Sequence, residues 1–327
     1  MDILTSLPSI LGLALAIATP LIITSMAGLF CERSGVVDIG LEGKLNMSAF
    51  AAALTSYYVT IKWGLPMGAL AGLMAGMFAS FIMSLAHAYA SVSKSGDQVV
   101  SGVAINFFAT GFTIVVTRAL FGSGDTPPIK VDSGRFGTLF PAIDSTSLWA
   151  NAYNKLIANQ NILTWVALLL IPLIAWVLYR TRFGLRLRAV GENPQAVDTA
   201  GISVHKLRYQ GVLIGGLLCG IAGTYLSIGS SSLFIRDMAA GRGYISLVVL
   251  ILGRWKPVPT LLGCLLFGFL QASSDYLPLE PDIFGFSLGN ISPLINSAPY
   301  ILVLIIMVFA GKSVAPAASG IAYKKER

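Results

Sequence analysis

Apolar residues do not alternate along this chain; they come in long unbroken runs. Such runs occur near 8–30, 45–61, 66–90, 98–119, 162–179, 207–229, 257–274 and 297–311. All but the last, which is marginal, reach the roughly 17–25 residues that a helix needs to cross a bilayer. A ninth run, Tyr244–Leu252, is too short to span unaided. It is either a half-helix or extends back through Met238-Ala-Ala-Gly. Nine crossings are the working count, in one transmembrane domain over 1–327. The first run follows Asp2 with no basic residue ahead of it, which predicts a retained span rather than a cleaved signal.

Composition agrees with this pattern. Apolar residues are 55% of the 327 and charged residues 11%, and the mean hydropathy is +0.76, far from a soluble domain. The net charge of +7 would suggest nucleic acid in a soluble protein. Here the basic residues gather in loops, as cytoplasmic loops do against anionic lipid, so lipid is the expected surface and nucleic acid is not.

The longest charged interruption is Arg180–Arg208, with Arg180, Arg182, Arg186, Arg188, Lys206 and Arg208. Placing it in the cytoplasm brings Arg254, Lys256, Lys94 and the tail lysines to the same side. It leaves the loop 121–161 and the N-terminus outside, with the C-terminus cytoplasmic. Within the interruption, Asn193-Pro194 is a helix start: the Asn side chain caps free amides, and proline at the first position has no donor to waste. Gly201 supplies the stop. The result is a surface helix over Pro194–Ala200, roughly 10 Å long and too short to cross anything.

Glycine is frequent, at 34 residues, and recurs at small-xxx-small spacing in Gly68, Gly72 and Gly76, and again in Gly211, Gly215, Gly216, Gly220 and Gly223. That spacing predicts close helix packing in lipid. Two breaks, Gly28–Gly43 and Gly223–Gly243, are glycine-bounded, follow an apolar helix and carry charge. Paired breaks in the two halves of a transporter point to a central site, although the letters match too weakly to establish an inverted repeat. The fold expected is an all-α polytopic membrane protein with broken or re-entrant segments.

The first break, Cys31 to Lys44, holds Glu32, Arg33, Asp38, Glu42 and Lys44. Charge at membrane depth must be paired or wet, so the break is either a cytoplasmic loop or a re-entrant wall of a pathway. Glu32 with Arg33, or Asp38 with Lys44, would hold the bend. Pathway candidates are Asp38 and Glu42 with the polar residues Asn46, Ser48, Asn106, Thr110, Thr113 and Gln271, which offer donors and acceptors to a neutral solute. Interhelical hydrogen bonding is the competing use. Tyr57, Tyr58, Trp63, Trp165, Trp176 and Trp255 lie near span ends, as interfacial belt residues do.

Cys31, Cys219 and Cys264 stand singly, and His87 and His205 have no partner at metal or triad spacing, so no metal, disulfide or cofactor is expected. A phosphate-binding loop is almost spelled by Gly311-Lys312-Ser313, but Ile306 stands where its first glycine must be. ATP hydrolysis is therefore expected in another subunit.

The run GLRLRAVGENPQAVDTAGI resembles the cytoplasmic coupling segment of ABC importer permeases of the ribose and branched-chain amino-acid type. CERSGVVDIGLEGKLNMSAF resembles the subgroup for nucleosides and related simple sugars. The resemblance runs from about Gly28 to Lys312. It implies a permease of a bacterial cytoplasmic (inner) membrane that moves a nucleoside, or next a simple sugar, by alternating access. Its implied partners are an ABC ATPase subunit, a second related permease in a heterodimer, and an extracytoplasmic substrate-binding protein. Gly191, Glu192, Asn193, Pro194, Gln195, Ala196, Asp198, Ala200 and Gly201 would form the ATPase contact.

Two other classes fit the residues less well. An ion-gradient-driven secondary transporter would want titratable groups in mid-span, and the apolar runs carry almost none apart from Arg118 near one end. A membrane-embedded enzyme or anchor would need a nucleophile or metal constellation.

Overall fold

The computed structural model describes residues 3–145, 147–276, 297, 301, 305 and 315–324. Among them there is no strand, only an isolated bridge between Thr138 and Asn161. The chain runs α1 (Ile3–Arg33), α2 (Leu41–Tyr57), α3 (Gly68–Ala88), α4 (Gln98–Phe121), α5 (Leu148–Tyr153), α6 (Ile162–Arg180), α7 (Arg182–Glu192), α8 (Pro194–Thr199), α9 (Val204–Thr224), α10 (Arg242–Leu252) and α11 (Pro257–Tyr276).

Among the described residues, six helical segments are long and apolar enough to cross a membrane: Leu7–Arg33, Gly68–Ser93, Gln98–Phe121, Ile162–Arg180, Val204–Ser230 and Pro257–Tyr276. Nine crossings are not confirmed among the described residues, for identifiable reasons. α2 has only 17 residues and opens on Glu42, Lys44 and Asn46, although a π-helical turn over Tyr58–Lys62 prolongs it. Tyr244–Leu252 lies in an 11-residue half-helix that does not continue back through Met238, because that stretch is turn. Most of the predicted span 297–311, with Lys312, Lys325 and Arg327, lies outside the described residues.

Polar side chains set the helix starts. Asp97 accepts from the Val100 amide at 2.9 Å, Asn161 from Leu163 at 2.9 Å and Ser203 from Lys206 at 3.3 Å, each satisfying a first-turn donor. At the far end of α4, Gly122 adopts φ 73° and its amide returns to the Arg118 carbonyl, the left-handed stop that glycine takes without strain.

The core is built on α1, whose Leu21, Ile22, Ile23, Met26 and Leu29 are fully buried. Against it lies α9, and the glycine spacing read in the sequence becomes its contact seam. A β-carbon at Gly220 would stand 2.4 Å from Met77 Cα, one at Gly215 2.9 Å from the Ala27 carbonyl, and one at Gly223 2.5 Å from the Leu45 carbonyl. These are backbone approaches that only glycine allows.

The bundle has two distinct ends. At one, Arg33 donates to the Trp255 carbonyl at 2.7 and 3.1 Å, Ser93 meets Tyr209 at 2.6 Å, and the tail joins α7 and α9. At the other, Gln160 donates to the Gly12 carbonyl at 3.0 Å and Ser56 to the Gly134 carbonyl at 2.6 Å. The basic segments Arg180–Arg208, Lys94 and Arg254–Lys256 thus collect at one end and the loop 122–161 at the other.

Candidate functional site

At the basic end, Thr181 caps α7 through the Gly184 amide at 3.1 Å, and Leu187 and Val190 are buried beneath it. The Asn193 side chain accepts from Ala196 at 3.0 Å with Pro194 at the first position. Gly201 closes α8 at φ 77°. Val197 pins the short helix into a cluster with Val190, Val204, Leu207 and Tyr323. Glu192, Asn193, Gln195, Ala196, Thr199, Ala200 and Gly201 are exposed, Pro194 and Asp198 are half-buried, and Gly191 is buried.

The C-terminal segment 315–324 packs beside α8, which the sequence did not indicate. Ala318 donates to the Gly191 carbonyl at 2.8 Å and Gly320 to Gly35 at 3.3 Å. Ala317 donates to the Glu192 carboxylate at 3.3 Å. Buried Arg208 holds the Ile321 carbonyl at 2.9 Å. A groove of about 370 Å³ opens between tail and helix, walled by Glu192, Pro194, Gln195, Tyr323 and Lys324.

Deeper in, the two sequence breaks meet. The first runs over 34–40. Its Asp38 pairs with Lys44, both fully buried, and the Cys31 thiol donates to the same carboxylate at 3.3 Å. His87, for which the sequence offered no partner, lies 3.8 Å from Asp38. Its Nε2 donates to the Val37 carbonyl at 3.1 Å, and Ser101 sits 3.1 Å from Nδ1. Of the two bend pairs expected, Asp38–Lys44 forms. Glu32 turns instead to the Trp255 indole N–H, and Arg33 to the Trp255 carbonyl and Glu192, the latter at 3.7 Å. Trp255 is accordingly no belt residue, being 4% exposed; two charged side chains hold it inside.

The second break follows α9. Residues 232–236 run beside the outer loop, with Ile129 donating to Ser232 at 2.7 Å, Thr126 to Phe234 at 2.9 Å and Arg236 to Asp125 at 2.9 Å. The chain then turns through Asp237 and Ala240, both at positive φ (56° and 46°), and Gly241 at 81° into α10. Eleven residues rise about 16 Å, half of the roughly 30 Å a helix needs to cross a hydrocarbon layer, so α10 alone covers half a crossing as it returns to the basic end. This crossing is half extended, half helical.

Residues of α2 seize that turn. Glu42 accepts from the amides of Gly241 at 2.6 Å and Gly243 at 2.7 Å, filling the donor-rich start of α10. One turn on, Asn46 accepts from Ala239 at 2.9 Å and donates to Asp237 at 3.0 Å. From α4, Asn106 accepts from Gly43 at 2.7 Å and donates to the Ile39 carbonyl at 3.0 Å and Tyr244 at 2.9 Å.

Of the pathway candidates, Glu42, Asn46 and Asn106 therefore converge on the junction of the two breaks, and Asp38 lies behind them. Ser48 serves helix packing, donating to Leu45 at 3.1 Å and Cys219 at 3.4 Å. Thr110 shares the Asn106 face of α4, half-buried, and Thr113 donates to its carbonyl at 3.1 Å. Gln271 bonds to Asp275 at 2.9 Å and lines a cavity of about 250 Å³ with Ala240 and Arg242 of the same turn. Sequence reasoning does not single out Asp237, whose signal is the charge in the second break, and it reads Tyr244 only as the start of the ninth apolar run.

At the opposite end, a larger cavity of about 580 Å³ lies between the start of α1 and the outer loop, lined by Gly12, Lys155, Gln160, Asn161 and Tyr225 among others.

The family model described as branched-chain amino acid transport system / permease component matches residues 10–311. The chain is 38% identical to the guanosine ABC transporter permease protein NupQ of Bacillus subtilis, covering 99% of both chains. It is 33% identical to the nucleoside ABC transporter permease protein NupC of Lactococcus lactis over the full length of both. A putative glucose ABC transporter permease protein of Haloferax volcanii is 30% identical over 90% of this chain and 88% of its own. Both Bacillus subtilis and Lactococcus lactis carry a second, more distant match, NupP at 25% and NupB at 24% identity.

Proposed function

The chain belongs to the branched-chain amino acid transport system permease family, and on that premise we propose that it is the membrane subunit through which an ABC importer passes a nucleoside. What carries the reading is the match over 99% of both chains to a guanosine permease, with a nucleoside permease next. A simple sugar is the second choice, on the more distant glucose relative.

In this reading α8 is the knob that a separate ATPase subunit grips in a surface groove, and the ATPase end is cytoplasmic, with the C-terminal tail. Gly191–Gly201 supplies the contact. α8 is tied by Val197 and the tail to α7 and α9, and α9 packs along α1, α2 and α3, so a push on α8 reaches the bundle that holds the breaks. Alternating access then proceeds around the junction of Glu42, Asn46 and Asn106 at mid-depth. The exposed apolar face of α4, with Val100, Phe107, Phe108 and Val115, faces lipid or a second permease. The paired matches in two organisms favour a related but different second permease. An extracytoplasmic binding protein delivers the solute to the end that bears the loop 121–161, and the membrane is the bacterial cytoplasmic (inner) one.

The test is uptake of labelled nucleoside into vesicles holding the assembled transporter. The reading requires that uptake stop when ATP or the ATPase subunit is withheld and continue when an ionophore collapses ion gradients. Uptake without ATP that the ionophore abolishes would make the chain a secondary transporter.

A further inference from the structure

Asp237 is a carboxylate at the tip of a break that ends near the bilayer midplane, and it is exposed there. Charge at that depth survives only when paired or facing water. Among the described residues no cation lies within ion-pair distance of it; the pairs present are Arg33–Glu192 and those of Asp38 with Lys44 and His87. The backbone is also strained for its purpose. Asp237 and Ala240 both sit in the left-handed region, which non-glycine residues enter at a cost that local structure must cover. Asn46, 1% exposed, covers it by bonding Asp237 Oδ1 and the Ala239 amide together. One carboxylate oxygen is thus fixed, and the side chain is presented at a set orientation rather than left mobile.

We propose that Asp237 is the solute-reading group of the translocation path, accepting hydrogen bonds from a vicinal donor pair on a neutral solute as it crosses the midplane. This rests on the nucleoside-importer reading and adds the residue and the chemistry. A nucleoside carries such a pair in two places: the 2′- and 3′-hydroxyls of ribose, and the N1–H with the 2-amino group of guanine. A carboxylate accepts from either without needing a charged partner. The Tyr244 hydroxyl, held by Asn106 at 2.9 Å on a half-exposed ring, stands two residues into α10 and offers a neutral polar neighbour.

The discriminating variant is Asp237→Asn. Asparagine tolerates the left-handed turn and keeps an oxygen for Asn46, but it replaces the second acceptor with a donor. Uptake is measured in vesicles of the whole transporter over a range of solute concentrations up to saturation, with guanosine, 2′,3′-dideoxyguanosine and inosine. We expect Asp237→Asn to lower the maximal rate for guanosine about tenfold or more, the loss of one hydrogen bond to a charged acceptor, with the half-saturating concentration unchanged. The wild-type preference for guanosine over the analogue lacking the contacted pair should collapse toward unity in the variant. Collapse against the dideoxy analogue assigns the ribose, and collapse against inosine assigns the base.

A guanosine rate within twofold of wild type, or a preference that the variant leaves intact, overturns the role. Should the variant fail to insert, the wild type decides alone: equal maximal rates for all three solutes overturn it. Vesicles without ATP run alongside keep the two claims apart. Uptake that persists there sinks the importer reading, whereas ATP-dependent uptake indifferent to Asp237 sinks only this inference.

Discussion

Glu42 and Gly243, separated by 201 positions in sequence, meet at 2.7 Å through a carboxylate and a backbone amide. The same carboxylate takes the Gly241 amide, so one side chain of α2 closes the start of α10 and ties one break to the other. A helix start with unmet donors inside a membrane is costly. Glu42→Ala should therefore destabilise the protein by about 2–4 kcal/mol, the cost of two stranded amides, whereas Glu42→Gln, which keeps one acceptor, should lose about half of that. Thermal unfolding in detergent reads the difference. Equal losses for the two variants would mean that charge rather than acceptor geometry is what α10 needs.

The buried pair Asp38–Lys44 makes a different prediction. Lys44→Met strands a carboxylate with no exposure to water and should cost about 3–5 kcal/mol. The double change Asp38→Asn with Lys44→Met removes both charges and should restore most of that stability. A double variant no more stable than the single one would show that the stranded carboxylate is not the source of the loss.

Glycine supplies the third. At Gly220 a β-carbon would lie 2.4 Å from Met77 Cα, while at Gly111 nothing lies within 4 Å. Gly220→Ala should cost about 1–3 kcal/mol by forcing α9 from α3; Gly111→Ala should be neutral or mildly stabilising, since alanine is the better helix former. Retention of a monodisperse peak after heating separates them, and similar behaviour of the two would deny that the α9 seam is tightly packed.

What the letters announced, and what they hid, follows from which groups do the bonding. The runs 98–119 and 162–179 became α4 and α6 almost to the residue, because continuous apolar length is itself the signal. Asn193-Pro194 and Gly201 framed α8 because caps are made by side chains and by glycine's left-handed freedom. The crossing through 231–252 was half legible. Its helical half reads as an apolar run, but its extended half is stabilised by backbone bonds to the outer loop and by Asn46 and Glu42 from a distant helix. Trp255 shows the same limit from the other side. A tryptophan beside a span end looks interfacial by position, and only the fold reveals that Glu32 takes its N–H and Arg33 its carbonyl. Asn106 is a pathway candidate by its donor and acceptor, and both are used, but on protein groups at the junction of the breaks.

If α8 is the grip of an ATPase, its cap is indispensable. Exchanging Asn193 and Pro194 removes the cap, worth about 1 kcal/mol, and puts proline where a capping side chain must be, leaving the spans untouched. The most direct measurement is recovery of the ATPase subunit with the tagged permease from detergent-solubilised membranes, for wild type and the exchanged variant at equal permease abundance. The account predicts a complex with the wild type and its loss with the variant; recovery of the ATPase in equal amount from both would contradict it.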